Sequence, residues 1–288
     1  MITGSDKRIG LALSGGGARC LAQVGALRAL HEAGYVIDAI AANSSAAVLS
    51  AIYATHRDAE LLQRIVLETD FSKLLDLGAS SGLSSHDGIR DLLREHAAAT
   101  FEELQVPLAV PAVDIEKAEL LVFTRGELVE PVCASNAFPG LFTPINLGSR
   151  HLMDGGILNN FPVDIIRTLT TRPVIAIDVR TPIKPDLGLS ETEEPETLLS
   201  KVSTLFGRNS GETVDILAQS YTITQDRLIQ LTMALHPPDL LLTPNLPQDL
   251  GSQSFDRAEE AMEIGYRDTQ AALSRLDTDS GNPANNLL

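Results

Sequence analysis

The stretch Ile37-Asp38-Ala39-Ile40-Ala41-Ala42-Asn43-Ser44-Ser45-Ala46-Ala47-Val48 decides how the rest of the chain is read. An apolar, strand-like run stops at small residues, and a helix-like run from Ala46 to Ala54 starts at once. A serine pinned at a strand-to-helix turn holds its hydroxyl out of the turn at the carboxyl end of a parallel sheet, which is the logic of a nucleophile elbow. The usual elbow is Gly-x-Ser-x-Gly, and here alanines stand at both glycine positions, Ala42 and Ala46. Serine is also an ordinary helix N-cap. On this stretch alone, capping is the stronger reading of Ser44. Ser45 is the rival hydroxyl, but it falls in the first helical turn, where capping suits it better than attack.

Two further stretches bear on Ser44. Arg8-Ile9-Gly10-Leu11-Ala12-Leu13-Ser14-Gly15-Gly16-Gly17-Ala18-Arg19 reads as a strand, a glycine turn and the start of a helix. Leu21, Val24, Leu27 and Leu30 recur at helical spacing and support that helix. Consecutive glycines let a backbone turn sharply and aim several N–H groups one way, making a nest for a phosphate or a transient oxyanion. The dinucleotide pattern Gly-x-Gly-x-x-Gly is not met, and no Gly-Lys-Ser/Thr follows, so nucleotide binding is disfavoured. The other stretch is His151-Leu152-Met153-Asp154-Gly155-Gly156, where an aspartate ends a short apolar run at a tight turn. Asp-Gly pairs are common in turns for purely structural reasons. Asn159-Asn160, just beyond, are candidates to hold that turn through side-chain hydrogen bonds.

Strand and helix signals alternate. Strand-like runs are Ile9–Ser14, Ile37–Ala42, Leu108–Asp114, Glu119–Thr124, Arg150–Met153, Pro173–Val179 and, late, Leu240–Thr243. Helix-like runs are Ala18–His31, Ser45–Ala54, Asp58–Thr69, Gly88–Ala98, Phe161–Leu169, Gly211–Leu235 and Phe255–Leu276. The alternation predicts an α/β fold with a mostly parallel sheet covered by helices on both faces. Asp76–Asp87 and Thr181–Glu196 read as polar connections. The expected organisation is one domain over residues 1–276 and a disordered tail over 277–288.

The chain has 288 residues, of which 44% are hydrophobic, enough for a large core. No apolar run approaches the roughly 20 residues of a membrane helix. The segment Met1–Arg8 is polar and lacks the apolar stretch of a signal peptide, so cytoplasmic residence is the expectation, with leaderless export the open alternative. Cys20 and Cys133 suggest no disulfide framework, and no His or Cys pair has zinc spacing, so no metal is expected. A net charge of −16 disfavours nucleic acid and lasting adsorption to anionic bilayers. With no Trp and 4% aromatics, interfacial anchors are scarce. If the substrate is a lipid, a dispersed or single-chain ester fits better than a bulk membrane, with transient membrane contact at most.

Taken together, Gly15-Gly16-Gly17-Ala18-Arg19, Ser44 and Asp154 resemble the patatin-like phospholipases, also called patatin-like acyl hydrolases. Ala134-Ser135-Asn136-Ala137-Phe138-Pro139-Gly140-Leu141-Phe142-Thr143-Pro144 is similar to that family's Ser-x-x-x-Pro-Gly-x-Phe-x-Pro segment. Phe255-Asp256-Arg257-Ala258 to Gly265-Tyr266 is similar to the C-terminal helix of its small bacterial members. The likeness runs from about Arg8 to Leu276. It implies a three-layer α/β/α fold and a serine acyl hydrolase that needs no cofactor. It further implies a Ser44–Asp154 dyad in which the aspartate takes the serine proton directly, and an oxyanion hole from Gly15, Gly16 and Gly17. In a Ser–acid–His order only His236 follows Asp154, and its place before Pro237-Pro238 suits a helix end or the surface. Arg19 has two readings: contact with substrate, or ordering of the nest through carbonyl bonds. Phe138, Leu141 and Phe142 read as core, with the lining of an acyl pocket as the second reading. The family's Gly-Thr-Ser-Ala-Gly is Ala42-Asn43-Ser44-Ser45-Ala46 here, and Cys20 replaces the glycine after the arginine. These departures keep a second function open, a non-catalytic acyl- or lipid-binding regulator on the same scaffold. Acyl length, headgroup and oligomeric state are not legible.

Overall fold

The structure is a computed structural model that describes residues 6–71, 84–180 and 211–280. In chain order the elements are β1 (Arg8–Leu13), α1 (Leu21–Glu32), β2 (Val36–Ala42), α2 (Ser45–His56), α3 (Ala59–Glu68), α4 (Asp87–His96), β3 (Leu108–Asp114) and β4 (Glu119–Phe123). They continue with α5 (Val129–Ser135), β5 (Ile145–Leu147), β6 (Arg150–Asp154), α6 (Gly156–Asn159), α7 (Val163–Leu169), β7 (Val174–Ile177), α8 (Gly211–Leu235), β8 (Leu240–Leu242) and α9 (Ala258–Ser280). Of the expected polar connections, 76–83 and 181–196 lie outside the described residues, as does 281–288. α9 runs four residues past the expected boundary at 276.

The strands form one sheet in the order β5-β6-β3-β2-β1-β7-β8, with β4 pairing β3 off this path. β8, β7, β1, β2 and β3 run parallel to one another, whereas β4 and β6 pair antiparallel with β3 and β5 antiparallel with β6. The sheet is therefore mixed and mostly parallel.

Side chains alternate along each strand, so one strand feeds two cores. Ile9, Leu11 and Leu13 of β1 point into the larger core, shared with residues of α1, α2 and α9. Ala12 points the other way, with Ala39, Ala41, Ala109 and Ala176, toward Phe161, Val163, Ile165 and Ile166 and toward Ile229 of α8. Helices therefore cover both faces, and the small methyls of the second face let α7 come close. A Cβ on Gly10 would stand 2.6 Å from Thr170 Cγ2 and 3.1 Å from Ile166 Cγ1.

α1 packs closely against α9. A Cβ on Gly25 would overlap the Met262 carbonyl oxygen, and one on Gly265 would overlap that of Ala22. Backbone rests on backbone at both points, so glycine is required for want of space. This contact seats α9 over the helix that follows the glycine turn.

Candidate active site

Ser44 lies between β2 and α2 with φ 58° and ψ −134°. It occupies the N-cap position of α2, yet its side chain makes no capping hydrogen bond. A non-glycine residue at positive φ costs about 1–3 kcal/mol and persists only where its surroundings enforce it. Here the backbone is held by a bond from Ser44 N–H to Ser135 Oγ at 3.1 Å and one from Ala47 N–H to Ser44 O at 2.8 Å. Ser45 does not cap either, since its hydroxyl donates to Asn136 Oδ1 at 3.2 Å.

The glycine turn follows the neighbouring strand. Gly17 has φ 58°, and a Cβ there would overlap the Ser252 carbonyl oxygen, which accepts the Ala18 N–H at 2.8 Å. Gly15 differs from the expectation: its N–H is given to Asn160 O at 3.2 Å and is not offered to an oxyanion. Its contribution is space, because a Cβ on Gly15 would stand 2.9 Å from Ser44 Cβ. The N–H groups of Gly16 and Gly17 have no acceptor among the described residues. Arg19 is 5% exposed, and its guanidinium donates to Val179 O and Leu250 O, both at 2.6 Å, and to Pro247 O at 3.4 Å. Of its two readings, these bonds match the ordering of the turn through carbonyls.

Asp154 ends β6 and is 2% exposed. Strand register explains how it meets Ser44. β2 pairs β3 through Ala41 and Ala109, just before the Ser44 turn, and farther along β3 Ala112 pairs with Asp154 on its other side. Asp154 Oδ1 accepts the Gly156 N–H at 2.7 Å and Asn43 Nδ2 at 2.8 Å. Gly155 and Gly156 clear the way: a Cβ on Gly155 would lie 2.5 Å from Asn43 Oδ1, and one on Gly156 2.9 Å from Asp154 Oδ1. Burial raises the Asp154 pKa to about 6, against the bonds from Asn43, Gly156 and, as the weakest of the three, the Ser44 hydroxyl. A carboxylate poised near neutrality suits a general base.

Sequence reasoning assigned no role to Asn43, Ser135 or Tyr221. Asn43 is 0% exposed, its Nδ2 also donates to Asn160 Oδ1 at 2.9 Å, and its Oδ1 accepts the Ser135 hydroxyl at 3.1 Å. Asn160 thus supports the turn as expected, whereas Asn159 Nδ2 turns to Asp164 at 2.7 Å. Phe138 is 38% exposed and meets the Tyr221 ring edge-on at 5.5 Å. Burial first, and the charge of Asp154 second, raise the Tyr221 pKa. Leu141 is half-buried, and Phe142 is buried against the His86 ring at 4.8 Å. Phe142 therefore packs in the core, whereas Phe138 pairs with Tyr221 outside it. His236 is exposed just beyond α8. Among the described residues no cluster of His, Cys, Asp and Glu could hold a metal, and no helix is long and apolar enough to cross a membrane.

Comparison with known proteins finds relatives and a structural neighbour. An uncharacterised NTE family protein of Mycobacterium tuberculosis is 29% identical over 282 residues, 93% of this chain and 47% of that protein. Lysophospholipase NTE1 of Pyricularia oryzae is 25% identical over 290 residues, 96% of this chain and 19% of its own length. This chain spans about half the length of the mycobacterial relatives it matches. The crystal structure of VipD from Legionella pneumophila shares the fold, with TM-score 0.55 and 15% identity over 93% of this chain and 67% of that one. Residues 11–167, which hold the glycine turn, Ser44 and Asp154, match the Patatin family, described as patatin-like phospholipase. By that match the chain belongs to the patatin-like phospholipase family.

Proposed function

We propose that this chain hydrolyses carboxylic esters of lipids with a Ser44–Asp154 dyad. The observation that carries the reading is a serine in a left-handed turn, its hydroxyl uncapped, beside a buried carboxylate whose pKa is raised to about 6. The Ser44 hydroxyl attacks the ester carbonyl carbon while Asp154 takes its proton. The N–H groups of Gly16 and Gly17 receive the oxyanion, a term worth several kcal/mol where water is excluded. The tetrahedral adduct expels the alcohol, which regains a proton from Asp154. Water, deprotonated by Asp154, then attacks the acyl-enzyme carbonyl; the acyl–Ser44 bond breaks, the carboxylic acid leaves and Asp154 returns its proton to the Ser44 oxygen. Phe138 and Tyr221 supply an apolar wall for the acyl chain. The charge of −16 and the absence of Trp favour a dispersed, lysophospholipid-like ester over a packed anionic bilayer.

A fluorophosphonate probe should label the wild type and fail on Ser44→Ala. Asp154→Asn keeps the shape and removes the base, so turnover of a short p-nitrophenyl ester should fall by roughly 10²–10⁴. The base works deprotonated, so kcat should be full above the Asp154 pKa and decline as pH falls through about 6. An unlabelled, folded wild type would make the protein a non-catalytic acyl-binding regulator. Near-normal Asp154→Asn with dead His236→Ala would replace the dyad by a triad.

A further inference from the structure

We infer that Asn43 is a positioning residue that selects the oxygen of Asp154 that takes the proton and ties that carboxylate to the backbone of the nucleophile. The inference rests on the dyad reading. Asn43 stands where the family's elbow motif has threonine, so the device belongs to this chain's own sequence.

The ionised carboxylate of Asp154 has no donor and can only accept, so the amide of Asn43 must present Nδ2 to it. That leaves Asn43 Oδ1 for the Ser135 hydroxyl. Ser135 Oγ in turn accepts the Ser44 N–H at 3.1 Å. One side chain therefore connects base and nucleophile through two hydrogen bonds on its far side and one on its near side. At the near side, Asn43 and Gly156 together fill Asp154 Oδ1. No described N–H donates to Oδ2, so the second oxygen is left for the serine proton. All these groups are buried: Asn43 and Ser135 are 0% exposed and Asp154 2%. A hydrogen bond to a charge is at its strongest in such surroundings, and it favours the ionised base. Asn43 thus opposes burial and keeps the carboxylate usable near neutral pH.

Asn43→Asp keeps the shape and sets one carboxylate against another; Asn43→Ser is smaller and too short to reach Asp154. Full pH profiles of kcat on a short ester, with melting temperatures, form the test. In both variants the acidic limb should move upward by about 1–2 pH units, the equivalent of losing one charged hydrogen bond. Raising the pH should then return part of the lost rate. A purely structural role would depress kcat equally at every pH and leave the limb in place, and that result overturns the inference. If Asn43→Asp does not fold, Asn43→Ser carries the test. If neither folds, Ser135→Ala does: it cuts the link to Ser44 and spares both bonds on Asp154. Ser135→Ala should lower kcat about tenfold or more with the limb unmoved, and an unchanged kcat overturns the link. Failure of the dyad reading is separate, since it appears as an unlabelled wild type, as fluorophosphonate labelling that survives Ser44→Ala, or as near-normal turnover in Asp154→Asn.

Discussion

The turns after β1 and β2 leave neighbouring parallel strands and both reach φ 58°, at Gly17 in one and at Ser44 in the other. At Gly17 the unusual backbone serves an approach. The Ser252 carbonyl occupies the place of a Cβ, so only glycine fits, and glycine adopts this φ freely. At Ser44 it serves a projection. The hydroxyl must leave the turn, so the Cβ has to exist and the backbone bears the strain. The two turns also share space, for Ser44 Cβ fills the room left by the missing side chain of Gly15. A left-handed φ therefore says little by itself about function. What stands at the Cβ position separates a packing glycine from a reactive serine.

Three substitutions break or sharpen this contrast. The largest effect belongs to Gly17→Ala. It meets a backbone carbonyl that cannot swing away and a φ that alanine disfavours, so stability should fall by about 2–4 kcal/mol. Chemical denaturation measures it, and a loss under about 1 kcal/mol would mean that the 252 segment is free to withdraw. Next comes the double variant Ala42→Gly with Ala46→Gly, which restores the family's glycines. Both alanines are 0% exposed in the larger core, so their methyls are packed. The double variant should melt earlier, by about 0.4–1 kcal/mol per site from unfolded-chain freedom alone. A variant that melts later would mean that the methyls crowd the elbow. The smallest effect, of opposite sign, belongs to Ser44→Gly. Removing the Cβ relieves the turn, and stability should rise by on the order of 1 kcal/mol while turnover vanishes. A destabilised Ser44→Gly would show that the serine is held without strain.

Much of this architecture was legible in the sequence because its causes are local. β3 reads as an apolar run of strand length, and the observed strand spans the same residues, Leu108–Asp114. The glycine turn, the elbow and the Asp-Gly-Gly turn announce themselves by residue type. What was missed depends on distance or on competing local signals. β5 escaped notice, although Leu147-Gly148-Ser149-Arg150 is a two-residue hairpin signal, with Gly148 at φ 63°. α5 carries Pro131 and spans seven residues, too short for periodicity to show; its start is held by Glu127, which accepts the Val129 and Glu130 N–H groups. Asn43 had no readable role because its partners Asp154, Asn160 and Ser135 lie 111, 117 and 92 positions away. The acceptor that takes the Gly15 N–H, Asn160 O, is remote in sequence too, so local residue type could not reveal it.

The clamp on the glycine turn has a consequence for biosynthesis. Ser252 accepts the Ala18 N–H, and Leu250 accepts a bond from Arg19 across 231 positions. A ribosome that has delivered residue 200 has already made the nucleophile, the base and all three turn glycines. It has not yet made the residues that hold the turn in shape. Contacts of such long sequence separation form late, because loop closure precedes any gain from them. The chain should therefore leave the ribosome with its reactive serine present but idle, and acquire activity in one late step. Nascent chains arrested before and after residue 252 emerges, probed with a fluorophosphonate, would time that step.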